Sequence, residues 1–390
     1  MARKPLPDRL PQARPPRTSL TCPRQPRRTL APHTTPLHLL ARTRKARNLL
    51  SRTSTPLRRQ SRRPVPSRGL PHPDGWFAVA ATEDVLPGQV ITRRLADRDI
   101  VVARMRSGEL TASEPWCPHL GAHLGGGTVT AVGLRCPFHG LEFNAQGDCA
   151  ASPLGRPPRT ARLAMLPVRE ILGVIVVWHG RDGGDPEWEI TEISADPQDW
   201  LPLRYKVLQF RGHPQEITEN SVDLAHLSVL HQFRSVNVRQ PLHADGPRLR
   251  TAYSAQLDRV PILGTLDVEF AVAVDGLGWS RVETTLPRLG WTVRQLVLPT
   301  VTDAGTVELR LAVSVRRRTG RPRWLWTVIT RAVQEAVLYR FQREVLADRE
   351  IWENKVFLER PALIPGDGPI GPYRRWTKQF YDQPALTPAD

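Results

Sequence analysis

Cysteine is scarce in this chain, with four in 390 residues. Cys22, Cys117, Cys136 and Cys149 are too few and too scattered for a disulfide-stapled scaffold, and the scarcity fits a reducing, cytoplasmic compartment. Long apolar runs are missing as well. The most apolar stretches, 76–81 and 171–178, are far too short to cross a bilayer as helices. Acid is nearly absent from residues 1–70, where 16 Arg and 2 Lys face only Asp8. That arm carries a charge equal to the +17 of the whole chain, and the rest is neutral, with 37 basic and 37 acidic side chains. A folded body without net positive charge makes no electrostatic case for nucleic acid as a partner. Residues 1–70 also lack Phe, Trp and Tyr, are rich in Pro, and show no apolar periodicity. Such a segment cannot bury enough surface to offset chain entropy, so it is expected to be a disordered, dispensable extension. A nucleic-acid-binding tail, an organelle transit peptide and translated upstream sequence are the competing explanations; frequent Pro argues against a transit helix.

What is present is a motif between residues 117 and 139. Cys117-Pro118-His119-Leu120-Gly121 is followed, fourteen residues later, by Cys136-Pro137-Phe138-His139-Gly140. Two thiolates can hold one iron of a [2Fe–2S] cluster while two neutral imidazoles hold the other. A zinc site also accepts two Cys and two His, but a zinc finger groups the two Cys on one knuckle and the two His on a helix. Here each arm carries one of each, and Gly121 and Gly140 close the arms where the backbone must bend around a cluster. The pattern resembles a Rieske iron–sulfur domain. In Rieske proteins of respiratory complexes a further Cys on each arm forms a disulfide; the matching positions here, Ala122 and Phe138, resemble oxygenase-type domains instead.

From Pro73 onward the chain reads as folded. Strand-like stretches at 76–81, 90–95, 100–105, 161–168 and 172–178, separated by turn signals, predict an all-β domain over 73–180. An acidic, Pro- and Gly-punctuated linker at 181–200 leads to a second domain over 200–380. Strands are expected there at 203–211, 248–257, 264–274, 280–283, 293–298 and 307–315. Their short connections favour antiparallel pairing. From 324 to about 357 the pattern is helical, with no internal Pro or Gly.

Between the first strands of the second domain lies E-N-S-V-D-L-A-H-L-S-V-L-H, with Asn220, Asp223, His226 and His231. Asp223 and His226, three apart, share a helical face, which places the Asp223 carboxylate to accept an imidazole N–H. His231 is about 140° further round an ideal helix, so a shared metal requires the helix to end, tighten or bulge. Two imidazoles and one carboxylate on ferrous iron leave positions open for O₂ and substrate. Glu344, Asp348, Glu350 and Glu353 are candidates for that carboxylate, and spacing alone does not choose among them.

A Rieske arm pair followed by N-x-x-D-x-x-H-x-x-x-x-H resembles the oxygenase component of Rieske non-haem iron oxygenases, over residues 73–380. Within that group, E-N-S-V-D-L-A-H-L-S-V-L-H, I-W-E-N-K-V-F-L-E-R-P-A-L and R-R-W-T-K-Q-F-Y are most similar to 3-ketosteroid 9α-hydroxylase oxygenases and cholesterol 7-desaturases. The resemblance implies an α+β architecture: the all-β Rieske domain, then a helix-grip domain with a curved antiparallel sheet and C-terminal helix. It implies a [2Fe–2S] cluster on Cys117, His119, Cys136 and His139, and mononuclear Fe(II) on His226, His231 and Asp348. Asp223 and Asn220 are the further catalytic candidates, Asp223 as the bridge to His139 of a neighbouring copy in a homotrimer. It also implies an NAD(P)H-dependent reductase, with or without a ferredoxin, and O₂-dependent hydroxylation or desaturation of an apolar, steroid-like substrate. Aromatic-ring dioxygenation, demethylation on the same scaffold, or electron transfer without oxygenase chemistry are the alternatives.

Overall fold

The computed structural model describes residues 70–381, except 192, 194–197, 261–263 and 319–321. The disordered extension expected over 1–70 therefore falls, apart from Leu70, outside the described residues. Eleven short strands come first: β1 (Gly75–Ala81), β2 (Val90–Leu95), β3 (Arg98–Arg104), β4 (Leu110–Ser113), β5 (Thr128–Val129) and β6 (Leu134–Arg135), then β7 (Glu142–Phe143), β8 (Cys149–Ala151), β9 (Met165–Leu166), β10 (Val168–Ile171) and β11 (Val174–His179). They form three small antiparallel sheets, ordered β1-β11-β10, β2-β3-β4-β9 and β5-β6-β7-β8. The strand expected at 161–168 is instead split between β9 and β10. The apolar run at 171–178 is broken by a tight hairpin, with Leu172 at φ 53° and Gly173 at φ 79°.

Next come β12 (Arg204–Arg211), α1 (Pro214–Glu219), α2 (Leu224–Val229), β13 (Arg234–Asp245), β14 (Arg248–Val260), β15 (Gly264–Asp275), β16 (Trp279–Leu286), β17 (Trp291–Asp303) and β18 (Thr306–Val315). These strands make one seven-stranded antiparallel sheet, β12-β18-β17-β16-β15-β14-β13. The long helix α3 (Arg323–Asn354) and the short α4 (Ile370–Thr377) complete the chain. No helix among the described residues is long and apolar enough to cross a membrane.

Strict alternation on the central strands sorts the core into two layers. Val293 and Val297 on β17, with Val307, Leu309, Leu311, Val313 and Val315 on β18, face Leu338, Phe341, Val345 and Trp352 of α3. Leu296, Leu298 and Ala312 face the other way, onto Trp76, Ala78, Val174, Val176 and Trp178 of β1 and β11. The sheet is thus gripped between α3 and the first small sheet. A bulge in β1 between Ala78 and Ala80 leaves carbonyls without ladder partners. Buried Arg310 donates to Ala78 O and Val79 O, each at 2.6 Å, and the Thr300 hydroxyl also donates to Ala78 O. Contact is closest at Gly278, where a Cβ would lie 2.2 Å from the Trp76 carbonyl oxygen. Only glycine fits there.

Candidate metal centres and substrate pocket

The two arms of the Cys/His motif fold as near-copies of each other. In the first, Gly121 N–H donates to Cys117 O at 2.9 Å and Cys117 N–H to Ala122 O. In the second, Gly140 N–H donates to Cys136 O at 3.2 Å and Cys136 N–H to Leu141 O. Gly121 at φ 71° and Gly140 at φ 72° take the left-handed conformation that closes each loop. Cys117 and Cys136 are both buried at the base, and burial pushes the Cys117 thiol up. His119 and His139 sit at the tip, with ring centroids 4.8 Å apart. Among the described residues, the one set bringing three such donor atoms within 4.8 Å of one another lies elsewhere. Two buried thiols at the base and two imidazoles at the tip suit a two-iron core with thiolates on one iron and imidazoles on the other. Exposed Trp116, Leu120 and Phe138 surround the tip.

The second candidate centre is His226, His231 and Asp348, whose donor atoms lie within 4.8 Å of one another. Helix α2 ends at Val229, and the chain turns back so that His231 N–H donates to His226 O at 3.2 Å, a five-residue span. Gln232 at φ 60° completes the turn. Terminating the helix cancels the angular mismatch between the two histidines, and their rings meet edge to face at 5.1 Å. His231 Nε2 lies 3.2 Å from Asp348 Oδ1, both side chains nearly buried. Burial opposes protonation of His231, but the Asp348 carboxylate outweighs it and lifts the imidazole pKa above its usual value. Of the four acids considered on α3, Asp348 is the one that joins both histidines. Glu353 hydrogen-bonds Arg349, and Glu350 is exposed.

Asp223 does not hold the imidazole through its side chain, as the spacing suggested. It caps α2: its Oδ1 accepts the His226 backbone N–H at 3.2 Å. The His226 ring sends Nδ1–H instead to the Asp223 main-chain carbonyl at 2.6 Å, with the carboxylate 3.8 Å away. A donor at Nδ1 leaves Nε2 as the lone-pair nitrogen, the tautomer a metal needs. Burial raises the Asp223 pKa, but the hydrogen bonds and charge at His226 outweigh it and keep the carboxylate below its ordinary value.

His226, His231 and Asp348 open into a pocket between the sheet and α3, walled by Phe233, Tyr253, Phe270, Val272 and Phe341. Asn220, at the end of α1, lines the same pocket, whereas Asp223 stays outside it. Glu344, one of the four candidate acids, lines the pocket as well, whereas nothing in the sequence pattern pointed to Gln295 or the aromatic wall. Period-two alternation locates Gln295 only once the register of β17 is known.

The three stretches quoted for the resemblance to ketosteroid hydroxylases and cholesterol desaturases converge beside this pocket. Arg374 of α4 binds Glu219 of α1 through two hydrogen bonds, at 2.6 and 2.9 Å. Lys355, the C-cap of α3, stands 3.6 Å from Glu216 and 3.8 Å from Glu219. The Tyr373 hydroxyl donates to Gln215 O at 2.7 Å.

Most of the chain is similar to known proteins. Residues 75–167 match the Rieske [2Fe-2S] domain and residues 177–381 the 3-ketosteroid 9alpha-hydroxylase C-terminal domain. Cholesterol 7-desaturase nvd 1 of Ciona intestinalis is 30% identical over 346 residues, 81% of this chain and 70% of that protein. A probable 3-ketosteroid-9-alpha-monooxygenase oxygenase component of Rhodococcus rhodochrous is 28% identical over 327 residues, 79% of each chain. The fold is shared with NdmA of Pseudomonas putida CBB5 solved with caffeine: TM-score 0.58, 18% identity, 78% of this chain and 89% of that one. It is shared also with dicamba monooxygenase solved with non-heme iron and dicamba: TM-score 0.54, 18% identity, 79% and 96% covered.

Fold and donor sets together define the oxygenase component of a Rieske oxidoreductase. The chain belongs to the family whose Rieske [2Fe–2S] domain is followed by a 3-ketosteroid 9α-hydroxylase C-terminal domain. Oxygenase components of this kind work with reductase or ferredoxin partners and O₂.

Proposed function

We propose that the chain is the terminal oxygenase of a multicomponent system that hydroxylates or desaturates a steroid-like substrate. The observation that carries the reading is the pocket itself, an apolar and aromatic chamber with two imidazoles and a carboxylate at one end. In this reading Cys117, His119, Cys136 and His139 hold the [2Fe–2S] cluster, and His226, His231 and Asp348 hold mononuclear iron. Ferrous iron in such a site, when bound, supplies the O₂-dependent oxidation of a C–H bond. Overall, hydroxylation consumes O₂, two electrons and two protons and yields the alcohol and water; the electrons come from NAD(P)H through the partner reductase.

The chain's own residues prepare that chemistry. The Asp223 carbonyl fixes the tautomer of His226, and the α2 turn brings His231 Nε2 within 3.2 Å of Asp348 Oδ1, so both can face one metal. The apolar walls exclude water and hold the substrate C–H bond in place. The Asp223 carboxylate is about a third exposed, and one of its oxygens caps α2. This arrangement supports a bridging role toward His139 of a neighbouring copy, with the copies forming a closed trimer. The names of two sequence relatives, a cholesterol desaturase and a ketosteroid monooxygenase, favour a steroid-like occupant. The test is turnover with a reductase, NADH and a panel of steroids, methylxanthines and aryl ethers, followed by mass spectrometry. Steroid products gaining one oxygen or losing two hydrogens are expected. Demethylation of the other compounds with no steroid product overturns the reading.

A further inference from the structure

On β17 the residues facing α3 are Trp291, Val293, Gln295 and Val297, and Gln295 is the single polar member of that stripe. Its partners across the sheet are Val282 on β16 and Val313 on β18. A primary amide in a valine wall costs free energy unless both its ends are satisfied. One end is: the Thr284 hydroxyl donates to Gln295 Oε1 at 2.7 Å. That bond fixes which way the amide points, so its Nε2 donor is turned away from Thr284. No partner for Nε2 is found among the described residues, and the side chain lines the pocket that holds His226, His231 and Asp348.

Asn220 and Ser221 also line the pocket near α1, and two of its other polar groups are already engaged. The Tyr253 hydroxyl donates to Ser221 O at 3.1 Å, and Glu344 is ion-paired with Arg340 at 2.7 Å. We infer that Gln295 is a specificity-determining residue whose Nε2–H donates to an acceptor oxygen, ketone or hydroxyl, on an apolar ring substrate. Thr284 is its positioning residue. The inference rests on the pocket being the substrate site, as proposed above, and adds the chemical feature the site selects. A pocket with a fixed donor rejects an analogue lacking the acceptor, because the amide is then left unpaired.

Equilibrium dialysis of the anaerobic holoenzyme tests this without turnover. The ligands are a 3-ketosteroid and its deoxy analogue, and an aromatic ketone and its parent hydrocarbon. Wild type is expected to bind at least one ketone about tenfold tighter than its deoxy partner, equivalent to about 1.4 kcal/mol. Near-isosteric Gln295→Met is expected to erase that preference by weakening the ketone alone, with an unchanged cluster absorption spectrum. Thr284→Val, which frees the amide to rotate, is expected to erase part of it. A Gln295→Met protein that keeps the wild-type preference, or a wild type with no preference in either pair, overturns the inference. If only the aromatic pair shows the preference and its loss, the amide assignment stands and the steroid reading falls.

Discussion

Acid should weaken this fold at a particular ring, His213. It is the N-cap of α1 and almost fully buried. Its Nδ1 accepts the Gln215 N–H at 3.1 Å, so Nε2 carries the proton and donates to the Pro71 carbonyl at 3.1 Å. The ring is neutral and satisfied at both nitrogens. A second proton has to enter at Nδ1, destroying the cap and placing a buried cation beside a helix N-terminus. Burial pushes the His213 pKa down from 6.5 to about 4, against the opposing pull of the Pro71 carbonyl. Because the folded value lies below the unfolded one, the ring's contribution is complete above pH 6.5 and is lost as the pH falls toward 4. Between pH 6.5 and 5 that loss is about 2 kcal/mol, at about 1.4 kcal/mol per pH unit.

His213→Asn isolates this contribution, since Asn caps a helix but does not titrate. Nearby His72 and Tyr381 remain in both proteins. His179, likewise pushed to about 4 by burial, adds an acid sensitivity of its own that the comparison cancels. Urea unfolding followed by tryptophan fluorescence at pH 7.5 and 5.0 measures the difference. Wild type should lose about 2 kcal/mol more than the variant across that interval. Parallel losses in the two proteins would refute the argument.

Asp348→Asn removes the only charge among the three donors, so the ratio of total iron to cluster should fall while the cluster spectrum stays; unchanged iron content argues against Asp348 as ligand. Asp223→Asn keeps the α2 cap, so both metals should remain bound while single-turnover oxidation of the cluster slows at least tenfold. A wild-type rate there would remove the bridging role. Gly278→Ala places a methyl 2.2 Å from the Trp76 carbonyl and should cost about 3 kcal/mol in thermal or urea unfolding. A variant as stable as wild type would mean that β1 can withdraw from the sheet freely.

Legibility in the sequence followed the range of the interactions. The cluster arms were readable because each folds through hydrogen bonds spanning no more than five residues around a left-handed glycine. The central strands were readable because both faces are buried and their residues are Val- and Leu-rich. Strand β13 was not, since it is an exposed edge carrying Pro241 and three register shifts, with no apolar alternation to reveal it. Asp348 needed the family resemblance, because Glu344 one turn earlier also lines the pocket and α3 is otherwise strewn with charge. The link from the His226 ring to a main-chain carbonyl was invisible for another reason: every residue has one, so no side chain announces it.

The three short stretches that carry the resemblance noted in the sequence share a structural task, set by how the candidate iron donors are delivered. His226 and His231 come from the α2 turn, Asp348 from the last two turns of a 32-residue helix, and no crosslink fixes one against the other. Glu219 sits one residue before Asn220, Lys355 is seven residues beyond Asp348, and Arg374 belongs to α4. Their contacts join α1, the end of α3 and α4 into one unit. Buried charges are costly to leave alone, so losing any one of these partners strands the others. Glu216 makes the point: it is 1% exposed, burial pushes its pKa up, and neither carboxylate oxygen has a hydrogen bond, leaving Lys355 at 3.6 Å as its compensation. A network of this kind works only as a set. It marks, in sequence, the place where two separately folded segments must be held in register for one metal.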